Sequence, residues 1–369
     1  MSLRGFPSWP LVFFAMLALY PLFPGFEATF RDMAKRSLGE QLPGLFIFMI
    51  LALALNVVVG NVGLLHLGIA AFFGIGTYIV GILTVPAYPF ELNYWLAMVL
   101  AVVGAAAFGG LVGVPTLRLR GDYLALVTLG FGEVVKFCIK NLDSITGGTR
   151  SLNPVPPPQI PGVETASWAA YYQPFYYLTL AMLAIVYVLL TRLERSRLGR
   201  AWVAVREDEL AASCMGLNVT RIKLAAFIFA ASIAGLAGAL YAAKTTTTGG
   251  PNEFDFNKSI FILCCLILGG LGNRNGALLG VLLLYGFDNI LSPILDAYFQ
   301  GSAGPPPRRF LNLGLFQIPV STQMQTFNGW RLGIFGLVLI LVMRFRPAGL
   351  LPNNRVKEEL QHAPSGGVA

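Results

Sequence analysis

The sequence has little charge for its length. Only 12% of its 369 residues are charged, where an average soluble domain has about 25%. Hydrophobic residues make up 56% of the chain, so the polar groups cannot cover its apolar surface. A lipid bilayer is the environment that suits this composition.

Residues that carry enzymatic or metal chemistry are also scarce. His66 and His362 are the only histidines, and the chain has four cysteines. None of them stands in a metal-ligand or catalytic motif such as H-E-x-x-H or G-x-S-x-G, and the phosphate-binding pattern G-x-x-x-x-G-K-[ST] does not occur. We therefore expect no catalytic residues, no metal site and no cofactor in this chain.

Long apolar runs recur along the whole chain. A spanning helix needs about 20 mainly apolar residues, and the runs predict an all-α polytopic membrane protein of about eight to ten transmembrane or re-entrant helices. Residues 1–42 are expected to form an N-terminal anchor helix and loop, 43–351 the transmembrane domain, and 352–369 a tail. The apolar runs lie at about 10–26, 43–64, 67–85, 94–114, 123–139, 170–191, 224–243, 259–272, 276–296 and 329–345.

The basic residues predict the orientation. Their net excess of +8 lies between the apolar runs, which is typical of cytoplasmic loops and not of a nucleic-acid-binding surface. The loop 192–223 holds the most Lys and Arg, so we expect it and the C-terminal tail to be cytoplasmic. The Pro-rich stretch 153–162, the Thr-rich stretch 244–258 and the loop 297–328 then lie outside.

Small residues recur at four-residue spacing in three of the runs. This spacing places them on one helix face, where they let neighbouring helices approach closely in lipid. We expect tight helix packing along these stripes, which are Ala105, Gly109 and Gly113, then Ala231, Gly235 and Ala239, and finally Gly272, Gly276 and Gly280.

The cytoplasmic loop contains a predicted short helix from Arg200 to Ala212. Gly216 is placed for a left-handed C-terminal cap, and Asn218 can cap the next membrane helix. Charges on most sides of the helix leave no wide apolar stripe for lipid. Trp202, Val205 and Leu210 between the charges suit a groove on a protein partner, although a solvated loop helix is the alternative.

Acidic residues and glycines inside apolar runs are candidates for a transport path. Glu133 and Asp288 are costly at membrane depth, but Lys136 lies one turn after Glu133, so a structural ion pair is as good an interpretation. Gly130, Gly132 and the glycines from Gly60 to Gly76 either mark broken helices that bind a zwitterion or provide ordinary close packing.

Several motifs together resemble one transporter family. Glu209, Ala211, Ala212 and Gly216 fit E-x-A-A-x-x-x-G, the form of the loop by which permeases of ABC importers engage their ATPases. The flanking residues are similar to those of branched-chain amino-acid permeases of the LivM type. Further matches, which extend the resemblance over most of Leu42 to Leu351, are N-V-V-V-G from Asn56, G-L-L-H-L-G from Gly63, the segment 117–133, L-G-G-L-G from Leu268 and R-P-A-G-L from Arg346.

The resemblance implies partners for this chain in a bacterial inner membrane. They are a homologous second permease, two ABC ATPase subunits that bind ATP and Mg²⁺, and a periplasmic or lipid-anchored binding protein. The implied cargo is a branched-chain or related hydrophobic amino acid. Permeases for urea, short amides or sugars, an ATP-independent secondary transporter and a membrane scaffold are the alternatives. The chain departs from the family at His66, where a small polar residue is common, and at Arg150-Ser151.

The resemblance and the residue patterns together select two sets of candidate residues. The ATPase-coupling candidates are Arg206, Glu207, Asp208, Glu209, Leu210, Ala211, Ala212 and Gly216. The translocation-path candidates are Asn56, Gly60, Gly63, His66, Gly68, Gly130, Gly132, Glu133 and Asp288.

Overall fold

The computed structural model describes most of the chain as a bundle of α-helices. The described residues are 8–22, 37–116, 122–159, 173–292, 310–313, 316–319, and 333, 336–337, 340–342, 344–346 and 349–351 near the C-terminus. The tail 352–369 and residues 117–121 of the family resemblance lie outside them. Within the described residues the predicted all-α polytopic class is confirmed, with one small addition, a two-stranded antiparallel ribbon of β1 (Phe310–Leu313) and β2 (Phe316–Pro319).

The nine predicted apolar segments from 10–26 to 276–296 appear as helices, two further helices lie in the loop 192–223, and the last apolar run, 329–345, lies largely outside the described residues. In chain order the helices are α1 (Ser8–Leu19), α2 (Leu38–Leu55), α3 (Ile69–Thr84), α4 (Tyr94–Thr116), α5 (Asp122–Asn141), α6 (Gln173–Glu194), α7 (Arg197–Glu207), α8 (Glu209–Cys214), α9 (Val219–Thr245), α10 (Phe256–Gly269) and α11 (Arg274–Gly286).

Not every helix is long enough to cross a bilayer by itself. Among the described residues, four pass by length and apolar composition: α2 with its extension to Val62, α4, α6 and α9. A fifth passes if α10 and α11, which are bent by 119°, count together as one broken span. The others are shorter or less apolar, which is why the number of apolar runs exceeds the number of helices that cross unaided.

The core is built around α2 and α9. Every residue from Gly44 to Leu55 on α2 is buried, and the helix packs against α6, α9 and α11. The tight packing predicted along the small-residue stripes is present between α4 and α9, whose stripes face each other: a Cβ on Gly109 would lie 2.5 Å from the Cβ of Ala231, and one on Gly235 would lie 2.5 Å from the Cβ of Ala105. Close backbone approach therefore fixes this helix pair.

Different segments of the chain pack at the two ends of the helix bundle. We call these ends inner and outer, after the predicted cytoplasmic and external sides. At the outer end the Pro-rich stretch pairs with the Thr-rich stretch: the N–H of Val155 donates to the carbonyl of Thr246 over 2.8 Å, and that of Thr248 donates to Leu152 over 3.0 Å. Both stretches were predicted on one side of the membrane, and this pairing requires it. The inner end carries α7 and α8.

The C-terminal segment returns to the inner end. The N–H groups of Leu350 and Leu351 each donate over 3.0 Å to the carbonyls of Leu268 and Gly269, the last residues of α10. Asn273 donates its side-chain amide to the carbonyl of Leu351 over 2.9 Å. Hydrogen bonds with residues 350 and 351 thus hold the turn between α10 and α11 at the inner end.

Candidate functional site

Helix α2 does not end as a regular helix. Asn56–Val62 continues it as a π-helix, a rare geometry that is frequent at functional sites. Gly63 then adopts φ +78°, a left-handed conformation that glycine accepts without steric cost, and residues 63–68 carry no regular structure before α3 begins. Of the two interpretations of the glycines from Gly60 to Gly76, a helix break applies here, while Gly76 lies inside the continuous α3 and packs closely on Gly235.

The turn between α10 and α11 meets this break. The side-chain oxygen of Asn56 accepts a hydrogen bond of 3.0 Å from the N–H of Gly272. A Cβ on Gly60 would lie 2.7 Å from the same nitrogen, so only glycine permits this approach. Two chain segments 216 residues apart are therefore joined where each leaves helical geometry.

Arg206 of α7 enters the same place from the inner end. Its guanidinium donates a hydrogen bond to the carbonyl of Gly60, which the π-helix leaves without a regular helical partner. The stem of Arg206 lies against Gly63, where a Cβ would come within 2.9 Å of Cγ, and its Nη1 lies 3.3 Å from the Cβ position of Gly272. One side chain of the loop 192–223 thus contacts both helix breaks.

An ion pair between Glu194 and Arg274 lies beside this contact of Arg206. The carboxylate of Glu194, at the end of α6, lies 3.0 Å from Nε of Arg274 and accepts a hydrogen bond of 3.4 Å from the side-chain amide of Asn61. Charge-assisted hydrogen bonds of this type are stronger than neutral ones. We call this set the helix-break junction, and its members are Asn56, Gly60, Asn61, Gly63, Glu194, Arg206, Gly272 and Arg274.

The predicted single helix in the cytoplasmic loop is wrong in one respect. It is two helices, α7 and α8, because Asp208 leaves helical geometry with φ −156° and ψ 111° and caps the second one. Its carboxylate accepts hydrogen bonds from the N–H groups of Leu210 at 2.8 Å and Ala211 at 3.0 Å. Asp prefers such a cap to a helix interior. The caps at Gly216, with φ +80°, and Asn218 are confirmed.

Helix α7 faces this chain and not a partner. Trp202 is fully buried and donates its indole N–H to the carbonyl of Ile222 over 2.9 Å, and Val205 is also buried. The prediction that these two side chains occupy a groove on another protein is therefore wrong: their apolar face packs on the base of α9.

Helix α8 is the exposed half of the loop. Leu210 is 76% exposed and the following Met215 is 83% exposed, while Glu207 and Ala211 are exposed beside them. Glu209 pairs with Lys223 in the first turn of α9, which ties α8 to the membrane bundle. Ala212 is buried within this chain, so its expected direct contact with a partner is not available without a rearrangement.

His66 and Gly68 lie in the irregular segment between α2 and α3. The imidazole is buried between the rings of Phe72 and Phe227, and its Nδ1 has no hydrogen-bond partner among the described residues. Gly68 packs against the backbone of Thr128 on α5. These two residues join the break to α5 and lie apart from the helix-break junction.

Gly130 and Gly132 do not break a helix. Helix α5 runs without interruption from Asp122 to Asn141, which overturns the broken-helix interpretation at these two positions. The nearest atom to a Cβ on Gly132 would be the Cα of Gly68 at 3.8 Å, and Gly130 has open space. Gly132 thus serves the contact with the irregular segment, and Gly130 makes no close contact.

The two acidic candidates lie near the outer end. Glu133 and Lys136 form the expected ion pair on α5, with 3.7 Å between Oε2 and Nζ. Asp288 lies in a π-helical extension of α11, Phe287–Leu291, and its carboxylate accepts a 3.4 Å hydrogen bond from Asn289. Neither residue belongs to the helix-break junction.

Sequence reasoning found part of the junction and missed the rest. Asn56, Gly60, Gly63 and Arg206 were selected, but as members of two separate sets. Asn61, Glu194 and Arg274 were not selected, and their partners lie far away in the chain. The one available signal was that Glu194 and Arg274 stand at the ends of apolar runs. This position alone does not show which residues they contact.

Comparisons with known proteins agree with this architecture. The family described as "Branched-chain amino acid transport system / permease component" matches residues 42–343. The chain is 36% identical to the high-affinity branched-chain amino acid transport system permease protein LivM of Salmonella typhimurium, over 87% of this chain and 71% of that protein. No solved structure matches this chain.

Two more distant relatives are also permease proteins. The permease protein LivH of Escherichia coli is 23% identical over 64% of this chain and 79% of its own length. The autoinducer 2 import system permease protein LsrC of an Enterobacter strain is 25% identical over 76% of this chain and 78% of its own length. Each of the three relatives is a transport permease by name.

Proposed function

The chain belongs to the family of branched-chain amino acid transport permeases, and on that premise we propose that it is the membrane-spanning permease subunit of an ABC importer. The proposed cargo is a branched-chain or related hydrophobic amino acid. The 36% identity to a LivM protein, against 25% to a permease named for autoinducer 2, supports this choice of substrate class.

The proposed partners follow from the same relatives. LivM and LivH are both named as permease proteins of one kind of transport system, so a homologous second permease completes the membrane part. Two ABC ATPase subunits bind ATP and Mg²⁺ and supply the energy. A periplasmic or lipid-anchored binding protein captures the amino acid and docks at the outer end.

One observation carries the proposed mechanism: Arg206 of the cytoplasmic loop contacts both helix breaks. The exposed Leu210 and Met215 of α8 offer an apolar contact for the ATPase. Since α8 follows α7 directly and is tied to α9 by Glu209 and Lys223, a displacement of α8 moves α7 as well. Arg206 then shifts Gly60 and the turn at Gly272 together.

The helix breaks are suited to respond to such a displacement. Irregular backbone at membrane depth is tolerated where it lines a cavity or is held by other polar groups. Discontinuous helices of transporters present free backbone groups that bind charged ends of a substrate. We propose that withdrawal of Arg206 releases the Gly60 carbonyl and opens the inner end of the path.

Reconstitution tests this function. The chain is co-purified with its second permease and ATPases, placed in proteoliposomes with the binding protein, and uptake of leucine, isoleucine and valine is measured with and without internal ATP. We expect uptake only with ATP and with all subunits. Uptake that needs no ATPase would identify a secondary transporter, and uptake of urea, an amide or a sugar in place of amino acids would reject the proposed substrate class.

A further inference from the structure

An apolar groove runs along the outside of the bundle at its inner end. It has a volume of about 700 Å³ and lies between α6 and α9. One wall is the face of α6 that includes Ile185 and Leu189, and Phe229 of α9 contributes the other. Ile185 is 57% exposed and Leu189 46% exposed, so this face is not covered by the rest of the chain.

A cation closes the inner end of this groove. Arg192 and Ser196 complete its lining, and Arg192 is exposed. Among the described residues no carboxylate lies within ion-pair distance of Arg192. The neighbouring Glu194 pairs with Arg274 instead. Arg195, Arg197 and Arg200 follow on the exposed surface, so the positive charge extends beyond one residue.

Apolar walls that end in a basic cluster fit one ligand class. Basic pockets between transmembrane helices on the cytoplasmic side bind anionic lipid headgroups, and the fork of an Arg guanidinium matches two phosphate oxygens. We propose that the groove binds an anionic glycerophospholipid, with an acyl chain along Ile185 and Leu189 and the phosphate on Arg192.

The groove also touches two of the contacts that attach α7 to the membrane bundle. Ser196 accepts a hydrogen bond of 3.4 Å from the N–H of Gly199 and so caps the start of α7. The Phe229 ring meets that of Trp202, the buried residue of α7, at a centroid distance of 6.1 Å. A lipid seated in the groove therefore stabilises the position of α7, and its loss weakens the connection between α8 and the helix-break junction.

Native mass spectrometry of the purified complex tests the site, with phosphatidylglycerol and phosphatidylethanolamine supplied in equal amounts. Arg192→Gln removes the headgroup contact, and Val188→Trp fills the groove. The matched controls are Lys140→Gln and Val134→Trp, both at exposed positions of α5. We expect Arg192→Gln to reduce the retained phosphatidylglycerol by about tenfold, the effect of one charge-assisted hydrogen bond, and Val188→Trp to reduce it because the indole occupies the space of the acyl chain, while the controls bind as the parent does.

The experiment has clear contrary outcomes. Equal retention of both lipids by the parent, or unchanged phosphatidylglycerol in both groove variants, would reject the site. A disulfide between Ile185→Cys and a cysteine of the second permease would show that the groove is a subunit interface. The ATPase rate adds a second readout: phosphatidylglycerol should raise it in the parent and the controls but not in the groove variants.

Discussion

Helices α7 and α8 were expected to be one element, and they differ in almost every property. Helix α7 buries Trp202 and Val205 against α9 and sends Arg206 into the helix-break junction. Helix α8 exposes Leu210 and Met215. The difference indicates that the two helices have separate roles: α7 packs on the membrane bundle, and α8 stays exposed at the position proposed for the ATPase contact.

The largest effect is expected at the seat of α7. Trp202→Ala removes a fully buried side chain and its hydrogen bond to Ile222, which should lower the free energy of unfolding by about 3–5 kcal/mol. Leu198→Ala, on the same helix but 40% exposed, should have little effect. Thermal unfolding in detergent measures both, and equal losses would contradict a buried anchor that is specific to Trp202.

The next effect concerns the junction. Arg206→Ala leaves the Gly60 carbonyl without its charged donor, a loss of about 1.5–3 kcal/mol, and should reduce uptake by up to about a hundredfold. Assembly with the ATPases should be kept because α8 is unchanged. Arg221→Ala, at an exposed position of α9, is the control. Normal transport by Arg206→Ala would mean that α7 does not transmit the motion of the ATPase to the helix-break junction.

A somewhat smaller effect is expected at the exposed helix. Leu210→Asp places a charge where an apolar contact with the ATPase is proposed, and loss of such a contact costs about 2 kcal/mol, or roughly a thirtyfold weaker association. Thr220→Asp adds the same charge at another exposed position. Co-purification at graded ATPase concentrations measures the two. If both weaken association equally, the effect is general electrostatics and not a contact of α8.

The smallest effect is expected at Asp208, where the loop divides into α7 and α8. Asp208→Ala removes the cap that starts α8 and should cost about 1 kcal/mol, while Asp208→Asn, which keeps a capping side chain, should cost less. Proteolysis between α7 and α8 reports the local loss. A stability equal to that of the parent would mean that the break at Asp208 does not depend on its cap.

Local features of the fold were predictable from the sequence, since their causes lie within one or two helical turns. The small-residue stripes with Gly109 and Gly235, the pair of Glu133 with Lys136, and the cap at Gly216 all depend on short spacings, although which stripes face each other does not. Asp208 illustrates the limit: the same residue favours a cap over a helix interior, but its place among strong helix formers hid the break.

The candidate site was predictable only in part because its contacts are distant in the chain. Asn56 meets Gly272 at a separation of 216 residues, and Asn61 meets Glu194 at 133. Periodicity gives the face of a helix but not its neighbour. Glycine density was informative in the segment after Asn56 and misleading at Gly130, where the helix is continuous and the space beside it is open.

The order of synthesis sets a condition on how the inner end is completed. The carbonyl of Leu351 accepts from Asn273, a residue made 78 positions earlier, and the N–H groups of Leu350 and Leu351 cover the carbonyls that end α10. During translation the turn between α10 and α11 therefore gains these hydrogen bonds only after residues 350 and 351 have left the ribosome. A nascent chain stopped before residue 346 should therefore remain open to quality-control proteases at that turn.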